Sequence, residues 1–302
     1  MLPLSLPNHL TQISLFKSLA ALLADWLLIG VCFAVVIWYP HVISYTLAAI
    51  IIARTQLALA VLMHESAHGV FHTNRRLNDT LGQVLTAAPL FLSMYVYRQG
   101  HMQHHVAPMS SDDPISVVFG IGDYPISRKQ LCWRLFKDLT SIAYFQTLYD
   151  LLNGKSKQAL QKIKVKSKKS RKVFVVASIL AVNGLLFAVL FTLGHGLLYF
   201  VLWLLPALTL LQVFARIRAI TEHAGYPPGD DQAKNARTIV KSSWQTFFFG
   251  PHCIHYHIEH HLNVRAPFYR LPDIHAYLQE NGKLPQENLY SGYGKVLADV
   301  TF

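Results

Sequence analysis

Charged residues are scarce in this sequence. Asp, Glu, Lys and Arg make up only 14% of the 302 residues, whereas 52% of the residues are hydrophobic. Soluble globular domains carry about 25% charged residues. The sequence therefore lacks the polar surface that a soluble domain needs, and its composition predicts an integral membrane protein.

Cysteines are also few. Cys32, Cys132 and Cys253 have no framework spacing, which argues against a disulfide scaffold and against a cysteine-ligated metal. No small-residue cleavage site clearly follows the first apolar run, so that run predicts an uncleaved membrane helix rather than a signal peptide.

Acidic residues are too few to balance the basic ones, and the formal net charge is +11. Nine basic residues and no acidic residue lie between positions 155 and 172, directly before an apolar run. This pattern is typical of a cytoplasmic topology signal that also contacts anionic lipid. It argues against nucleic acid as the partner, and an anionic electron-transfer protein is a second candidate for the same surface.

Four apolar runs approach the length of about 20 residues that crosses a bilayer as a helix. They cover residues 19–38, 43–63, 173–193 and 197–214. A fifth run, residues 81–97, contains Pro89 and predicts a re-entrant or interfacial hairpin instead. Asp25, Arg54 and Gln56 interrupt the first two runs, so their side chains must face protein or water.

The distribution of Lys and Arg places both termini and the middle loop on the cytoplasmic side. We therefore expect an all-α integral membrane protein with a single domain over residues 1–302. Four transmembrane helices would carry a cytoplasmic helical cap that holds the histidine motifs. A bacterial inner membrane is the expected location.

The histidines carry the chemical information. The segment His64-Glu-Ser-Ala-His68 matches the H-E-x-x-H arrangement of zinc proteases, but two H-x-x-H-H segments and an isolated His223 follow it. On a helix, positions i, i+3 and i+4 share one face. The candidate metal ligands are His64, His68, His101, His104, His105, His223, His257, His260 and His261.

This set of histidines is too large for one catalytic zinc, which uses about three protein ligands. It suits two metals, and imidazole binds zinc, copper, iron and nickel. An all-histidine pair at the end of membrane helices indicates iron that activates dioxygen. An intramembrane zinc protease is the weaker alternative, and a metal transporter would place its histidines inside the spans.

The three motifs, in this order and at these distances, resemble the membrane fatty acid desaturase superfamily. Further similarity lies in Asn78-Asp79, Asp112-Asp113-Pro114, the segment from Arg218 to His223, and the Pro-Phe-Tyr-Arg-Leu-Pro sequence that starts at Pro267. Together the similar segments cover roughly residues 20–280.

The resemblance implies a non-haem di-iron centre, held by the nine histidines, that uses dioxygen and two electrons. Known acyl-CoA relatives have an asparagine one turn before the isolated histidine, where this chain has Ala219. That difference puts the coordination of one iron in question. No segment resembles a fused cytochrome b5 domain, so a separate donor of the ferredoxin or cytochrome b5 type is expected.

Carboxylates near the motifs are candidates for orienting the imidazoles through the nitrogen that does not bind metal. They are Glu65, Asp79, Asp112, Glu222 and Glu259, with Asp113 beside them. Helix capping or loop solvation is the alternative for each. Among the other histidines, His72 is a weak ligand candidate, and His252 and His255 are expected in supporting or loop positions. His9, His41, His195 and His275 are expected at the surface or the interface.

Desaturation of a long acyl chain, as a fatty acyl lipid or thioester, is the function that the resemblance favours. A hydroxylase or ketolase acting on a carotenoid or another lipid would use a similar centre and stays open as the alternative.

Overall fold

The computed structural model describes residues 6–153, 163, 169–229 and 231–302. The regular secondary structure in this part of the chain is helical except for one parallel pair of short strands, β1 (Thr238–Ile239) and β2 (Leu289–Tyr290). The predicted all-α class is confirmed. Six of the nine basic residues between positions 155 and 172 lie outside the described residues.

Four helices in the described part are long and apolar enough to cross a membrane. The first is α1 (Leu15–Trp38), and α2 (Val42–His68) returns beside it. The third span is α8 (Lys169–Thr192). The fourth span begins as a π-helix (Tyr199–Leu204) and continues through α9 (Leu205–Leu208) and α10 (Leu210–His223). The four predicted spans are confirmed.

Two of these spans extend beyond their apolar runs to reach the histidines. Helix α2 continues to His68 and ends where Gly69 adopts a left-handed conformation with φ 80°, which glycine tolerates without a Cβ clash. The fourth span continues past residue 214 to His223. Both helices therefore bring histidines to the end opposite the short turns that join the spans.

The polar residues inside the first two spans are buried within the protein, as predicted. Arg54 Nη1 lies 3.4 Å from Asp25 Oδ1, and its Nε donates to the Phe247 carbonyl at 3.0 Å. Gln56 Nε2 donates to the Trp203 carbonyl at 2.9 Å. These contacts satisfy groups that lipid could not hydrogen-bond.

The predicted hairpin is an interrupted helix pair. Its first arm contains α3 (Arg75–Leu81) and short π and 3-10 turns up to Leu90, and its second arm is α4 (Met94–Val106). The arms meet at an angle of 95°. Gln83 fixes the bend, because its amide accepts from Met94 N–H at 3.0 Å and donates to the Leu92 carbonyl at 3.2 Å.

In the described residues between α4 and α8 lie three further α-helices, which the sequence pattern did not reveal. They are α5 (Pro114–Phe119), α6 (Arg128–Leu139) and α7 (Ile142–Leu152). Asp138 of α6 pairs with Arg216 of the fourth span, and Ser141 Oγ donates to the Leu208 carbonyl at 2.9 Å. The α6–α7 pair therefore lies against the fourth span.

The C-terminal region forms a second layer over the histidine end. It contains α11 (Trp244–Phe249), α12 (His257–Leu262), α13 (Leu271–Glu280) and α14 (Tyr293–Asp299). Helix α12 is buried, and Ile258 packs in a core with Leu271, Ile274 and Leu278. Thr238 of β1 positions α12 by accepting from Ile258 N–H and donating to Glu259. That this layer faces the cytoplasm stays a prediction.

Candidate metal centre

The nine candidate histidines come from four separate helices and meet in two groups. Within each group, the side-chain nitrogens that could bind metal all lie within 4.8 Å of one another. The first group contains His64, His68, His101, His105 and His260, and the second contains His104, His223, His257 and His261. Each H-x-x-H-H segment therefore contributes to both groups rather than to a single point.

The first group surrounds one point with its Nε2 atoms. The Nε2 atom of His260 lies 3.0 Å from that of His64 and 3.1 Å from that of His105. The Nε2 atom of His101 lies 2.9 Å from that of His68 and 3.0 Å from that of His105. Two nitrogens bound to one metal at about 2.1 Å and about 90° apart would be separated by about 3.0 Å. The spacing matches the ligand shell of one metal ion.

The nitrogens of the second group are spaced in the same way as those of the first. The Nε2 atoms of His223 and His257 are 2.8 Å apart, and those of His257 and His261 are 3.1 Å apart. The ring of His104 completes the group, with its centroid 4.7 Å from that of His223. Four imidazole nitrogens directed at one point form a second metal-sized shell.

The electrostatics favour neutral imidazoles, which are the metal-binding form. Burial lowers the pKa of His257, His260 and His261 well below the ordinary value, and the neighbouring imidazoles lower it further. Several buried Nδ1 atoms, including those of His101 and His260, have no hydrogen-bond partner among the described residues. A metal bound at the Nε2 atoms fits this donor set.

Asp113 connects the second H-x-x-H-H segment to the helix that follows. Its Oδ2 accepts from His104 Nδ1 and from Met109 N–H, each at 2.9 Å, and its Oδ1 caps α5 through Ile115 N–H. Burial opposes its ionisation, but the hydrogen bonds from His104 and Met109 hold the pKa of Asp113 below the ordinary value. The Nδ1–H···carboxylate bond directs His104 Nε2 toward its group.

Two other predicted carboxylates lie beside imidazoles. Glu65 Oε1 is 3.4 Å from His64 Nδ1, while its Oε2 accepts from Phe268 N–H at 2.8 Å. Glu222 Oε1 is 3.5 Å from His257 Nδ1 and accepts from Arg218 Nε at 2.6 Å. Both carboxylates lie close enough for a small movement to complete a hydrogen bond.

The remaining predicted carboxylates have other partners. Asp79 accepts from Arg98, whose guanidinium also caps the end of α2 through the Ser66 and Ala67 carbonyls. Glu259 binds Thr238 and His275. The Asp112 carbonyl accepts from Gln103 Nε2 at 2.5 Å, and its neighbour Asp113 is the residue bonded to His104.

Two supporting contacts come from a loop that contains none of the histidine motifs. His223 Nδ1 donates to the Asn235 carbonyl at 2.8 Å, and His261 Nδ1 donates to Gln232 Oε1 at 2.8 Å. Gln232 Nε2 in turn donates to the His105 carbonyl at 2.9 Å. Gln232 and Asn235 could not be predicted from the sequence, because neither has a motif or a spacing that relates it to the histidines.

The other histidines lie outside both groups. His72 Nδ1 accepts from Asn74 N–H, and His41 caps the start of α2. His252 Nε2 contacts Asp25 at 2.7 Å, so it stabilises the charged network of the first two spans. His255 Nδ1 bonds the Gly250 carbonyl, and His275 contacts Glu259. None of these five, nor His9 or His195, is a member of either group.

A cavity of about 160 Å³ adjoins both groups. Its wall contains one histidine of the first group and three of the second: His101, His104, His223 and His257. The rest of the wall is mainly apolar, with Leu57, Met63 and Ala219 among its residues, and Arg218 and Glu222 form one charged edge. Ala219 stands where acyl-CoA relatives have an asparagine, so its small side chain leaves space beside the second group.

The family model described as fatty acid desaturase matches residues 37–291, which include all nine histidines. The chain belongs to the fatty acid desaturase family. The dihydrorhizobitoxine desaturase of Bradyrhizobium elkanii is 25% identical to it over 240 residues. This alignment covers 75% of the chain and 65% of that desaturase, so the chain spans less than two thirds of its relative's length.

Membership of the family confirms the resemblance drawn from the histidine motifs. The four candidate membrane spans of the chain agree with membership of this desaturase family. The two histidine groups are compatible with the metal centre that such an enzyme uses.

Proposed function

We propose that the chain is a di-iron desaturase that uses dioxygen to remove two hydrogens from a long acyl chain. The convergence of the nine histidines into groups of five and four carries this proposal. Each group offers the nitrogen spacing of one metal shell, and neither contains a carboxylate that would bridge a hydrolytic metal pair. The proposed ligands are the nine histidines themselves.

Iron fits the donor set and the family better than zinc does. Imidazole accepts both metals, but zinc has no redox chemistry, and removal of hydrogen from a methylene group requires an oxidant. When bound, the two irons would supply the activation of dioxygen. This assignment makes the intramembrane protease the weaker explanation of the H-E-x-x-H segment.

The protein would orient its histidine ligands through residues that form hydrogen bonds with their Nδ1 atoms. Asp113, Gln232 and the Asn235 carbonyl fix three imidazoles of the second group by hydrogen bonds. Glu65 and Glu222 would act in the same way on His64 and His257. Asp79 and Glu259 are weaker candidates for such a role, because their side chains bond Arg98, Thr238 and His275 rather than the nine histidines. Asp112 stays a candidate because it precedes Asp113 in the sequence.

The cavity beside the histidines is suited to an apolar chain. Leu57, Met63 and Leu92 line it and would exclude water from the reacting methylene. Arg218 keeps its charge in the wall through Glu222. The relative's name states that it desaturates dihydrorhizobitoxine, whereas for this chain the apolar wall supports an acyl tail whose head group stays at the membrane surface.

Electrons would come from a separate ferredoxin or cytochrome b5 type protein. We propose that the histidine end faces the cytoplasm of a bacterial cell, since the basic residues concentrate on that side. The basic segment of residues 155–172 would attract an acidic electron donor as well as anionic lipid.

Product analysis tests the proposal. The chain and a His104→Ala variant would be expressed in a host with a matching donor system, and the lipids compared by mass spectrometry. We expect products lighter by two hydrogens that depend on His104. Products that instead gain one oxygen and vanish in the variant would identify a hydroxylase with the same centre.

A further inference from the structure

A second cavity lies on the far side of Phe119 from the metal centre. It has a volume of about 260 Å³ and lies between α7 and the fourth span, with Tyr144, Leu148 and Gln212 in its wall. Phe119 lines this outer cavity and also the inner cavity beside the histidines. The fourth span forms a shared wall, since Arg216 faces the outer cavity and Ala219 the inner one.

Phe119 is held firmly in this position. It is the last residue of α5, and its carbonyl accepts from Arg216 Nη1 at 2.6 Å. Arg216 is itself paired with Asp138, so the backbone at Phe119 is anchored to both α6 and the fourth span. At its other end α5 is capped by Asp113, which also bonds His104. One short helix therefore connects a histidine of the centre to the ring between the cavities.

The outer cavity lies next to a surface suited to lipid. Helix α7 has no buried residue, and Phe145, Leu148 and Leu152 are among its exposed apolar side chains. In a chain that crosses a membrane, an exposed apolar helix of this kind lies against the bilayer or its interface. A lipid tail could reach the outer cavity without passing through water.

Together the two cavities have the volume of one ligand pocket. Ligand pockets usually measure about 300–1,000 Å³, and neither the cavity of about 160 Å³ nor that of about 260 Å³ reaches this range alone. Joined past Phe119, they would fall within it and would offer a longer channel for an extended chain.

We propose that Phe119 is a specificity-determining residue that controls passage of an acyl chain from the outer cavity, beside α7, to the inner cavity at the histidines. The proposal rests on the proposed function for the identity of the chain as substrate. The path itself is a property of the protein that binding experiments can detect without turnover.

Photocrosslinking tests the path directly. Saturated fatty acids with a diazirine at successive carbons would be bound to the purified full-length protein, as free acids and, in a parallel arm, within phosphatidylcholine. We expect the wild type to be labelled at outer residues such as Leu148 by some probes and at inner residues such as Ile115 by others. Phe119→Trp should lose most of the inner labelling and keep the outer labelling.

Phe145→Trp is the matched control, because Phe145 lies on α7 but lines neither of these two cavities. It should leave both labelling sites unchanged. Inner labelling that persists in Phe119→Trp, or a wild type that is never labelled in the outer cavity, would overturn the proposal. Labelling by only one of the two arms would identify the form in which the chain enters.

Product profiles separate this proposal from the proposed function. If the wild type desaturates acyl chains, Phe119→Trp should lower product formation at every chain length, in line with its loss of inner labelling. Phe119→Ala should also accept methyl-branched chains, because a constriction selects by cross-section. Equal product formation and the same preference for unbranched chains in all three proteins would reject the role of Phe119 and keep the desaturase. Labelling as expected without any desaturated product would keep the path and reject the proposed reaction.

Discussion

At the scale of single residues, the Asp113–His104 hydrogen bond offers the sharpest test of how the ligands are held. Asp113→Asn replaces a charged acceptor by a neutral amide while keeping the size of the side chain. Loss of such a supporting carboxylate typically costs about 10–100-fold in metal affinity or activity. We expect a loss of this size in metal titrations of the variant.

Asp123→Asn is the control for this substitution, because Asp123 binds Arg134 and lies at the protein surface. It should bind metal as the wild type does. Equal metal affinity in the two variants would show that Asp113 only caps α5.

Glu65 distinguishes the desaturase from a zinc protease. In a protease, Glu65→Gln would remove the general base and all activity. Here the carboxylate accepts from Phe268 N–H, and the amide oxygen of glutamine could keep that bond. We expect Glu65→Gln to lose about 100-fold or less in product formation and His68→Ala to lose all of it. Complete inactivity of the glutamine variant with intact metal content would restore a direct catalytic role.

The ligand candidates could be predicted from the sequence because helical spacing alone places i, i+3 and i+4 on one face. The division of the histidines into two groups could not be predicted from the sequence. His104 and His105 are adjacent in the sequence but belong to different groups, and only the packing of α4 between the spans and α12 decides this. Gln232 and Asn235 likewise reach the centre through the tertiary fold.

At the scale of elements, the length and hydropathy of the apolar runs were sufficient to predict the four spans, because the bilayer requires both of a helix that crosses it. Helices α6 and α7 could not be predicted in this way, because they are short and amphipathic. Their position depends on tertiary contacts, such as the hydrogen bond from Ser141 to the Leu208 carbonyl. Helix α2 continues beyond its apolar run to His68. Its last turn is stabilised by Arg98 and Gly69, which lie outside that run.

The charged contact between the first two spans should be worth several kcal/mol. Asp25 binds both Arg54 and His252, so Asp25→Ala would leave a buried guanidinium without its partner. Breaking a buried pair in this way costs about 3–5 kcal/mol. Thermal unfolding in detergent should show a clearly lowered midpoint.

The double variant Asp25→Ala/Arg54→Met controls for lost packing. It should be less destabilised than the sum of its two single variants, because it leaves no uncompensated charge. Strict additivity would contradict a direct Asp25–Arg54 interaction.

At the scale of the whole molecule, topology is the open prediction. We expect the turn between the first two spans to face outward and the C-terminal layer to face the cytoplasm. In a background with the three native cysteines replaced by serine, His41→Cys should react with an impermeant thiol reagent in intact cells. Lys283→Cys should react only after lysis, and the reverse pattern would invert the orientation.

We propose that each histidine group binds one iron, and metal analysis of the purified protein counts the ions bound to each chain. Elemental analysis should find two ions per chain after iron reconstitution, with a Mössbauer signal of non-haem iron at nitrogen-rich sites. His104→Ala should lower occupancy chiefly at the second group. A single ion per chain, or full activity with zinc alone, would contradict the di-iron assignment.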